Sequence, residues 1–396
     1  MKKVAVTIFP SRTSFSFWSN GAHQNVCYLA KCLQVAGFDV VLLNGGDGSP
    51  PTVDSLPPEL RSIPWRDISD EALDDVDLLI QAGAQVSAEH VERVRARGGR
   101  AVNYKFGADL IIDAERTIHG KNTGAILNGS KFDEVWTTTQ HHDTCGSYWQ
   151  IVYRAPVRVL PHIWASCFVD QMTAAFPLLE ATCSDGSIER HTFPTPGYRP
   201  GRAKKRIAIL EPNINLIKTS HVPILIAEQA FRRHPQKIDR VLVACSEHLK
   251  THAGFATFVG ALDLQKTLAD DGHPVISFEG RRNTAWFLSA NADVVISHQM
   301  PGFTWANYSH YDALYLGYPI VHNVPEMRKA GVGYFYEGFN AIEGADALRT
   351  CLETYDSYYD QKRAAANAFL ATRLATSPAN VETHRAAVES VFEGWV

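Results

Sequence analysis

The chain has 396 residues, of which 45% are hydrophobic and 20% are charged, and its formal net charge at pH 7 is -4. This composition excludes a disordered or fibrous protein and gives no support to wholesale binding of nucleic acid. The length predicts two or three folding units, of which two is the favoured number. The seven cysteines are scattered and lack CxxC spacing, which predicts free thiols rather than a disulfide framework or a zinc site.

No apolar run approaches the roughly 20 residues that a membrane span needs. The apolar run after the N-terminus is also too short for the core of a signal peptide. We therefore expect a cytoplasmic protein, with peripheral membrane association left open.

Short apolar runs alternate with helical patterns through the first half of the chain. A strand is predicted at "KKVAVTIF", followed by the helix "GAHQNVCYLAKCLQVAG" and a second strand, "DVVLLN". Further strands are predicted at residues 77–80, 100–103, 134–137 and 157–160. This alternation predicts a parallel sheet covered by helices on both faces.

Residues 181–205 carry prolines, glycines and charges without a periodic apolar face, and they are interpreted as a connector. A second alternating series follows, with strands predicted at "RIAIL", "RVLVAC", "PVISF", "ADVVIS" and "PIVHN", and a helix around residues 255–268. We predict an α/β protein of two Rossmann-like parallel-sheet domains. The expected divisions are an N-terminal domain at 1–185, a C-terminal domain at 186–375, and a last helix at 376–396 that could pack back on the N-terminal domain.

The stretch "HQMPGFTWANYSHYDALYLGYPIVHN" places many polar side chains at a helix entrance between two apolar strands. Ligands of open parallel sheets bind beyond the carboxyl ends of the strands, and a helix N-terminus attracts anions. Asn307, Tyr308 and Ser309 add donors there, while Asp312, about one turn further, could accept hydrogen bonds from two vicinal hydroxyls. Phosphate at the helix entrance with ribose beside it is the geometry of a bound nucleotide. The alternative is that Asn307 or Ser309 is an ordinary N-cap.

A second polar cluster, "ILEPNINLIKTSHVP", also follows a predicted strand and leads into a helix, with Glu211 and Asn213 at the strand end. A charge-assisted hydrogen bond contributes about 1.5 to 3 kcal/mol, against roughly 0.3 to 1 kcal/mol for an exposed helix dipole. The dipole alone would therefore hold a diphosphate weakly. Lys218 is the first candidate for the missing cation, followed by Arg281 and Arg282, each of which could equally be a surface charge.

The second half resembles the donor domain of GT-B glycosyltransferases, above all the retaining branch, in which a strand leads into "EGFG…EA…G.P". The counterpart here is "PGFTWANYSHYDALYLGYPIV". Gly302 and Phe303 match, Asp312 stands where the second acidic residue is expected, and Gly317 and Pro319 fall at the expected offsets. The resemblance implies that Asp312 binds the ribose of a nucleotide. With "FWSNGAHQN" and "PHIW", the chain is most similar to a little-characterised bacterial group of GT-B-like proteins.

The same resemblance places Lys218 where the family has a lysine that contacts the donor diphosphate. It also implies a cleft between the domains and catalysis without a bound metal or other cofactor. Pro301 replaces the first glutamate of the acidic pair. The role of that glutamate would then fall to another residue.

The first half is expected to supply the acceptor side. Asn20 and Gly21 make a tight entry into the first helix, where a ligand could approach the backbone. The loop is not GxGxxG, which argues against a nicotinamide or flavin site. His23 is a candidate general base or a polar helix residue. Tyr104 and Asp109 follow another predicted strand and are candidate acceptor contacts, with ordinary structural roles as the alternative.

We therefore expect a metal-independent glycosyltransferase, retaining by resemblance, with Lys218 and His23 as catalytic candidates. Its partners would be a nucleotide-sugar donor and a glycan, lipid-linked or protein acceptor. Two rivals remain: a nucleotide-sugar epimerase of the same fold, and a silent nucleotide- or sugar-binding protein, which Pro301 makes credible. The base, sugar, acceptor and oligomeric state are not predicted.

Overall fold

The computed structural model describes residues 1–12, 20–120, 127–174, 180–182, 188–190, 197–282 and 284–393. The chain forms two compact units. The first comprises Met1–Phe168 and Ala371–Val396, and the second comprises Val169–Leu370. These bounds differ from the division at 185/186 that the sequence suggests. Part of the predicted connector at 181–205, and most of the loop before Asn20, lie outside the described residues.

The first unit is built on a seven-stranded sheet whose strands all pair in parallel. Its strands are β1 (Lys3–Ile8), β2 (Asp39–Asn44), β3 (Trp65–Asp67), β4 (Leu78–Gln81), β5 (Arg100–Lys105), β6 (Glu134–Thr138) and β7 (Val157–Leu160). The order across the sheet is β3-β2-β1-β4-β5-β6-β7. Val4 of β1 lies between Val40 and Leu78 of the neighbouring strands, and all three are buried. Burial on both faces explains why the central strands are continuous apolar runs.

Helices connect strands of this sheet: α1 (Gly21–Val35), α2 (Ala88–Ala96), α3 (Asp109–His119) and α4 (Thr139–Tyr153). Helix α5 (Cys167–Ala174) follows β7 and leads into the second unit. The Asn20 side chain caps α1 by accepting a 3.0 Å hydrogen bond from Ala22 N. At the other end Gly37 adopts a left-handed φ of 94°, which glycine tolerates without steric cost. Helix α1 therefore ends where its sequence predicts.

The second unit is built on a six-stranded parallel sheet of order β12-β11-β10-β13-β14-β15. A short antiparallel pair, β8 (Glu180–Thr182) and β9 (Ile188–Arg190), precedes it. The six strands are β10 (Lys205–Ile209), β11 (Ile238–Val243), β12 (Ile276–Phe278), β13 (Val294–Ile296), β14 (Ile320–His322) and β15 (Tyr334–Phe335). The neighbours β10 and β13 are in register at Ile209 and Ile296, so the loops that follow both strands begin side by side.

The helices of this part of the chain are α6 (His221–Arg233), α7 (Ala253–Gly260), α8 (Asp263–Lys266), α9 (Thr284–Asn291), α10 (Tyr308–Tyr315), α11 (Pro325–Lys329), α12 (Ala341–Thr354) and α13 (Tyr359–Ala371). Helices α6 and α12 pack closely, and the buried Gly344 of α12 faces Ile226 of α6. The absence of a side chain at Gly344 lets the two helices approach at this point.

The last helix, α14 (Pro378–Glu393), begins with proline, whose missing N–H costs nothing in the first helical turn. It packs against α1 of the first unit, where Arg385 Nε donates a 3.0 Å hydrogen bond to Ala36 O. Just before it, Trp164 N donates to Arg373 O at 2.7 Å. The chain therefore returns to the first unit after completing the second.

The structure confirms the fold class and every strand named from the sequence. It adds β3 and β15, short strands at the sheet edges that carry little alternation, and the antiparallel pair β8 and β9. The single helix expected around 255–268 is wrong, because the backbone breaks into α7 and α8 near Leu262, which has an extended conformation.

The close approach at Gly344 gives a prediction about stability. A Cβ at this position would lie 2.5 Å from Cδ1 and 2.6 Å from Cγ1 of Ile226, which is fully buried. Gly344→Ala should lower the free energy of unfolding by about 1 to 3 kcal/mol through overpacking, despite the better helix propensity of alanine. The measurement is urea unfolding followed by circular dichroism.

Gly260, at the end of α7, is the matched control, since a Cβ there meets nothing within 4 Å. Gly260→Ala should leave stability unchanged or raise it by up to about 1 kcal/mol. Equal behaviour of the two variants would contradict a steric constraint at Gly344.

Candidate functional site

The loop that carries Lys218 runs from the end of β10 to the start of α6, and Asn213 holds it in shape. Asn213 adopts a left-handed φ of 51°. Its side-chain amide donates to Glu211 O at 3.0 Å, and its oxygen accepts from Ser220 N at 2.9 Å. Lys218 N closes the loop by donating to Asn215 O at 3.1 Å. Asn213 therefore has a structural role at the strand end where the sequence placed it.

Glu211 lies in the interior of the second unit, with 2% of its surface exposed. Its Oε1 accepts hydrogen bonds from Ser297 Oγ at 2.7 Å and from His298 N at 3.1 Å. Burial raises the pKa of this carboxyl to about 7, against the opposing effect of those hydrogen bonds and of the Lys218 amine. Glu211 thus joins the ends of β10 and β13 through one carboxyl group.

Lys218 is half-buried beside this carboxyl. Burial lowers the pKa of the Lys218 amine, the charge of Glu211 works against that effect, and the nearby Arg281 lowers the pKa further. Arg281 and Arg282 are exposed and follow β12. The structure therefore brings two of the predicted cations, Lys218 and Arg281, close enough to influence each other.

A cavity of about 280 Å³ lies beside Arg281. It is lined by residues that follow β10, β11 and β12, among them Pro212, Cys245, Glu247 and Arg281. The carboxyl edge of the sheet is thus concave here, with the side chains of Arg281 and Glu247 in the lining.

A larger cavity of about 820 Å³ lies elsewhere in this unit, against β11, β12 and α7. None of the predicted site residues lines it. Two of its cations already have partners within the protein, since Arg206 Nε lies 2.8 Å from Asp239 and Arg240 donates to Pro274 O at 2.8 Å. The smaller cavity is the one of the two whose lining includes a predicted cation, Arg281.

A capping box forms at the N-terminus of α10. Asn307 Oδ1 accepts hydrogen bonds from His310 N at 3.3 Å and from Ser309 Oγ at 2.5 Å, and Asn307 N donates to His310 Nδ1 at 3.2 Å. The structure confirms that the helix begins at this point, and it shows Asn307 in the N-cap role that the sequence left as an alternative. The oxygen of Asn307 is thus used within the helix entrance.

The remaining donor-side candidates lie around the same helix. Gly302 adopts a left-handed φ of 79° in the turn where Phe303 N donates to Met300 O at 3.0 Å. Tyr308 is 8% exposed and Asp312 is 5% exposed. A ribose would have to reach a carboxylate that lies almost wholly below the surface. The contact between Asp312 and ribose stays a prediction.

A polar network that was not predicted from the sequence follows β13, β14 and β15. His298 Nδ1 lies 3.0 Å from Tyr336 Oη and 3.2 Å from Asn323 Nδ2, and Asn323 Oδ1 accepts from Gln299 N at 2.8 Å. Asn323 directly follows β14, and His298 comes shortly after β13. The general rule that polar residues at strand ends meet at one sheet edge could have found them.

In the first unit the candidate residues have structural partners. His23 is 6% exposed, and its Nε2 lies 2.9 Å from Phe9 O. Gly21 is the first residue of α1, next to the cap Asn20. These contacts explain the polar helix start without a ligand, so the roles of His23, Asn20 and Gly21 in catalysis or acceptor binding stay predictions.

Tyr104 and Asp109 are likewise built into the first unit. Tyr104 is 1% exposed and packs edge-on against Phe106. Asp109 pairs with Lys105 Nζ at 3.0 Å and accepts a hydrogen bond from Trp149 Nε1 at 3.0 Å. The phenol of Tyr104 is a core group in this structure, and its predicted acceptor contact is untested.

In the parts of the chain that the structure describes, no helix has the length and apolar character of a membrane span. Within the same residues, no three His, Cys, Asp or Glu side chains are grouped so that they could hold a metal ion.

Two parallel-sheet units of this kind define the GT-B fold, and the chain is similar over its whole length to solved structures of that class. The Anabaena protein Alr3699/HepE in complex with UDP-glucose is 12% identical with a TM-score of 0.56, over 98% of this chain and 100% of that one. The trehalose-6-phosphate synthase OtsA is 10% identical with a TM-score of 0.56, over 100% of both chains. A UDP-forming α,α-trehalose-phosphate synthase from Burkholderia xenovorans is 10% identical with a TM-score of 0.54, over 99% of both chains.

Residues 4–388 match the family described as a protein of unknown function, DUF2827, and the chain belongs to that family. None of the curated proteins matches it.

The buried carboxyl predicts how stability depends on pH. The pKa of Glu211 is raised from 4.5 to about 7, so between these values the unfolded chain releases this proton while the folded protein keeps it. Stability from this group is therefore full below about pH 4.5 and falls as the pH rises towards 7. Between pH 4.5 and pH 8 this group should lower the free energy of unfolding of the wild type by up to about 3 kcal/mol. Glu211→Gln, which keeps an accepting oxygen but does not titrate, should not show that loss.

Urea unfolding of wild type and variant at a series of pH values measures the difference. Asp360→Asn, at an exposed acid in the same unit, is the control and should follow the wild type. A difference between Glu211→Gln and wild type that stays constant with pH would refute the assignment.

Proposed function

We propose that the protein is a glycosyltransferase that takes its sugar from a nucleotide diphosphate donor, bound by the second unit. One observation carries the proposal. The cation Lys218 and the entrance of α10 follow two neighbouring strands, β10 and β13, whose ends Glu211 joins. A diphosphate requires a fixed cation and backbone donors at one place, and the carboxyl edge of a parallel sheet provides both.

Lys218 is proposed to hold the diphosphate, with Arg281 and Arg282 as supporting charges. Its half-buried position favours this role, because partial exclusion of water strengthens the attraction between an amine and a phosphate. In the reaction, Lys218 would stabilise the negative charge that develops on the leaving diphosphate. The similarity to HepE, whose crystal structure is a complex with UDP-glucose, supports a nucleotide-sugar as the donor class.

The finer assignments belong to the same proposal. The donor motif resembles the retaining branch, which favours retention of configuration. Stabilisation of the leaving group by Lys218 favours a reaction without a resident metal. Residues of the first unit are proposed to bind the acceptor, which would be a glycan, a lipid-linked sugar or a protein.

A panel of nucleotides tests the donor class. UDP, GDP, dTDP, CDP and ADP are added separately to the protein, in the presence of EDTA, and the melting temperature is recorded. A ligand at 100 times its Kd stabilises the folded state by about 2.7 kcal/mol, which corresponds to several degrees. We expect a shift with at least one diphosphate. A panel with no shift would count against the proposal, and a shift that appears only without EDTA would count against metal independence.

The role of Lys218 is tested separately by Lys218→Met, which removes the charge but keeps most of the packing of the side-chain stem. Affinity for the diphosphate that binds should fall by about 2 kcal/mol or more, roughly 30-fold, because a charge-assisted contact is lost. Calorimetry measures the change. Lys329→Met, at an exposed lysine of the same unit, should leave the affinity unchanged. If both variants bind as the wild type does, Lys218 is not the phosphate ligand.

A further inference from the structure

His298 lies beside the proposed donor site, and one of its ring nitrogens is buried without a hydrogen-bond partner among the described residues. His298 comes two residues after the end of β13 and is 3% exposed. Its ring stacks with that of Tyr336, with ring centres 6.3 Å apart, and contacts the ring of Phe339 at 4.9 Å. Its backbone N–H donates to Glu211 Oε1 at 3.1 Å, which fixes the position of the residue.

The surrounding hydrogen bonds determine which ring nitrogen carries the proton. The hydroxyl of Tyr336 has one proton, which it donates to Ser297 O at 3.0 Å. The amide of Asn323 has two, which it donates to Gln299 O at 2.7 Å and to Gly338 O at 3.0 Å. Neither group has a further proton for Nδ1 of His298. Nδ1 must therefore carry its own proton and donate it to Tyr336 Oη, 3.0 Å away.

This assignment leaves Nε2 of His298 with an unshared electron pair. Nε2 is buried and has no hydrogen-bond partner among the described residues. Burial lowers the pKa of the His298 imidazole to about 4, so the ring is neutral near pH 7. A buried acceptor without a partner is unfavourable, and an incoming donor group would remove that cost.

The electron pair also decides the chemistry of the ligand. A neutral acceptor repels the oxygens of a phosphate but accepts a hydrogen bond from a hydroxyl group. Phe339, 55% exposed and in contact with the imidazole, offers an apolar ring face to the C–H groups of a ligand. Hydroxyl and C–H groups together are the surface of a sugar.

Glu211 connects His298, whose Nε2 is the unpaired acceptor, with Lys218, the residue proposed to bind the phosphate. Its carboxyl binds the backbone of His298 and interacts with the charge of Lys218. A cation and a hydroxyl acceptor thus flank the same carboxyl group. A sugar linked to a diphosphate requires this arrangement, in which one end is anionic and the other carries hydroxyls.

We propose that Nε2 of His298 accepts a hydrogen bond from a hydroxyl of the donor sugar, and that His298 and Phe339 form the subsite for that sugar. The inference rests on the proposed function, because it assumes a nucleotide-sugar donor whose diphosphate lies at Lys218. Tyr336 is a positioning residue here, because its hydroxyl holds the proton on Nδ1 and leaves Nε2 as the acceptor.

Calorimetry on the full chain tests this assignment. The probes are UDP, GDP, dTDP, CDP and ADP, and the conjugate of each with glucose, galactose or N-acetylglucosamine. The quantity compared is the ratio of the Kd of a conjugate to the Kd of its diphosphate alone. His298→Phe removes the acceptor and keeps an aromatic ring, and we expect it to raise this ratio about tenfold while the Kd of the diphosphate changes less than twofold.

Tyr336→Phe is the second variant and remains informative if His298→Phe fails to fold. Without the phenol oxygen, the proton on Nδ1 loses its acceptor. The imidazole can then carry its proton on Nε2 instead, where it no longer accepts a hydrogen bond. The ratio should again rise, although Tyr336 itself touches no ligand. His298→Gln, which restores an accepting oxygen, should recover part of the lost preference for the conjugate.

The possible outcomes distinguish a failure of the sugar subsite from a failure of the proposed function. An unchanged ratio in His298→Phe and Tyr336→Phe would overturn the sugar subsite and leave the proposed function standing. Equal losses for diphosphate and conjugate would also overturn it, since they indicate a general disturbance of the site. If the wild type binds none of the probes, the proposed function fails and this inference fails with it.

Discussion

The two hydrogen bonds that Glu211 accepts from Ser297 and His298 hold together the carboxyl edge of the second unit. They cross from the end of β10 to the end of β13 and fix two loops that the sheet alone would leave independent. The same carboxyl supports the charge of Lys218, whose amine would lose more of its basicity by burial without it. One buried acid thus binds the backbone of His298 and acts on the charge of Lys218.

A buried acid of this kind lowers the stability of the fold, so its presence calls for another explanation. Burial of a carboxyl group disfavours its charged form, which is why the pKa of Glu211 rises to about 7. A glutamine could accept the same two hydrogen bonds without that cost. What a glutamine lacks is the charge opposite Lys218, which raises the pKa of that amine and, under the proposed function, keeps it in the charged form that binds a diphosphate.

Much of the architecture could be predicted from the sequence because the strands are buried on both faces. Runs such as "VAVTI" and "DVVLL" have one interpretation in an α/β protein, and loops after such strands are where ligands bind. Strands β3 and β15 lacked this signal, because they are short edge strands with few buried residues. The break between α7 and α8 was missed because both pieces continue one apolar pattern.

The site was less predictable than the fold, because burial and partners depend on residues far apart in the chain. Tyr104 and Asp312 have suitable chemistry for ligand contacts, but their side chains point into packed surroundings that no local pattern reveals. His298 was overlooked because its partners, Asn323 and Tyr336, come from other strands. For Asn307 the prediction was partly sufficient. Its position at the start of the helix was predicted, but the hydrogen bonds that its oxygen accepts from Ser309 and His310 were not.

The path of the chain has a consequence for synthesis on the ribosome. The second unit is continuous from Val169 to Leu370, whereas the first needs Ala371–Val396 in addition to its first 168 residues. Domains fold as units while the chain emerges. The later-made unit is thus complete before the earlier one, and until α14 emerges, the apolar surface of α1 that it covers stays open to chaperones.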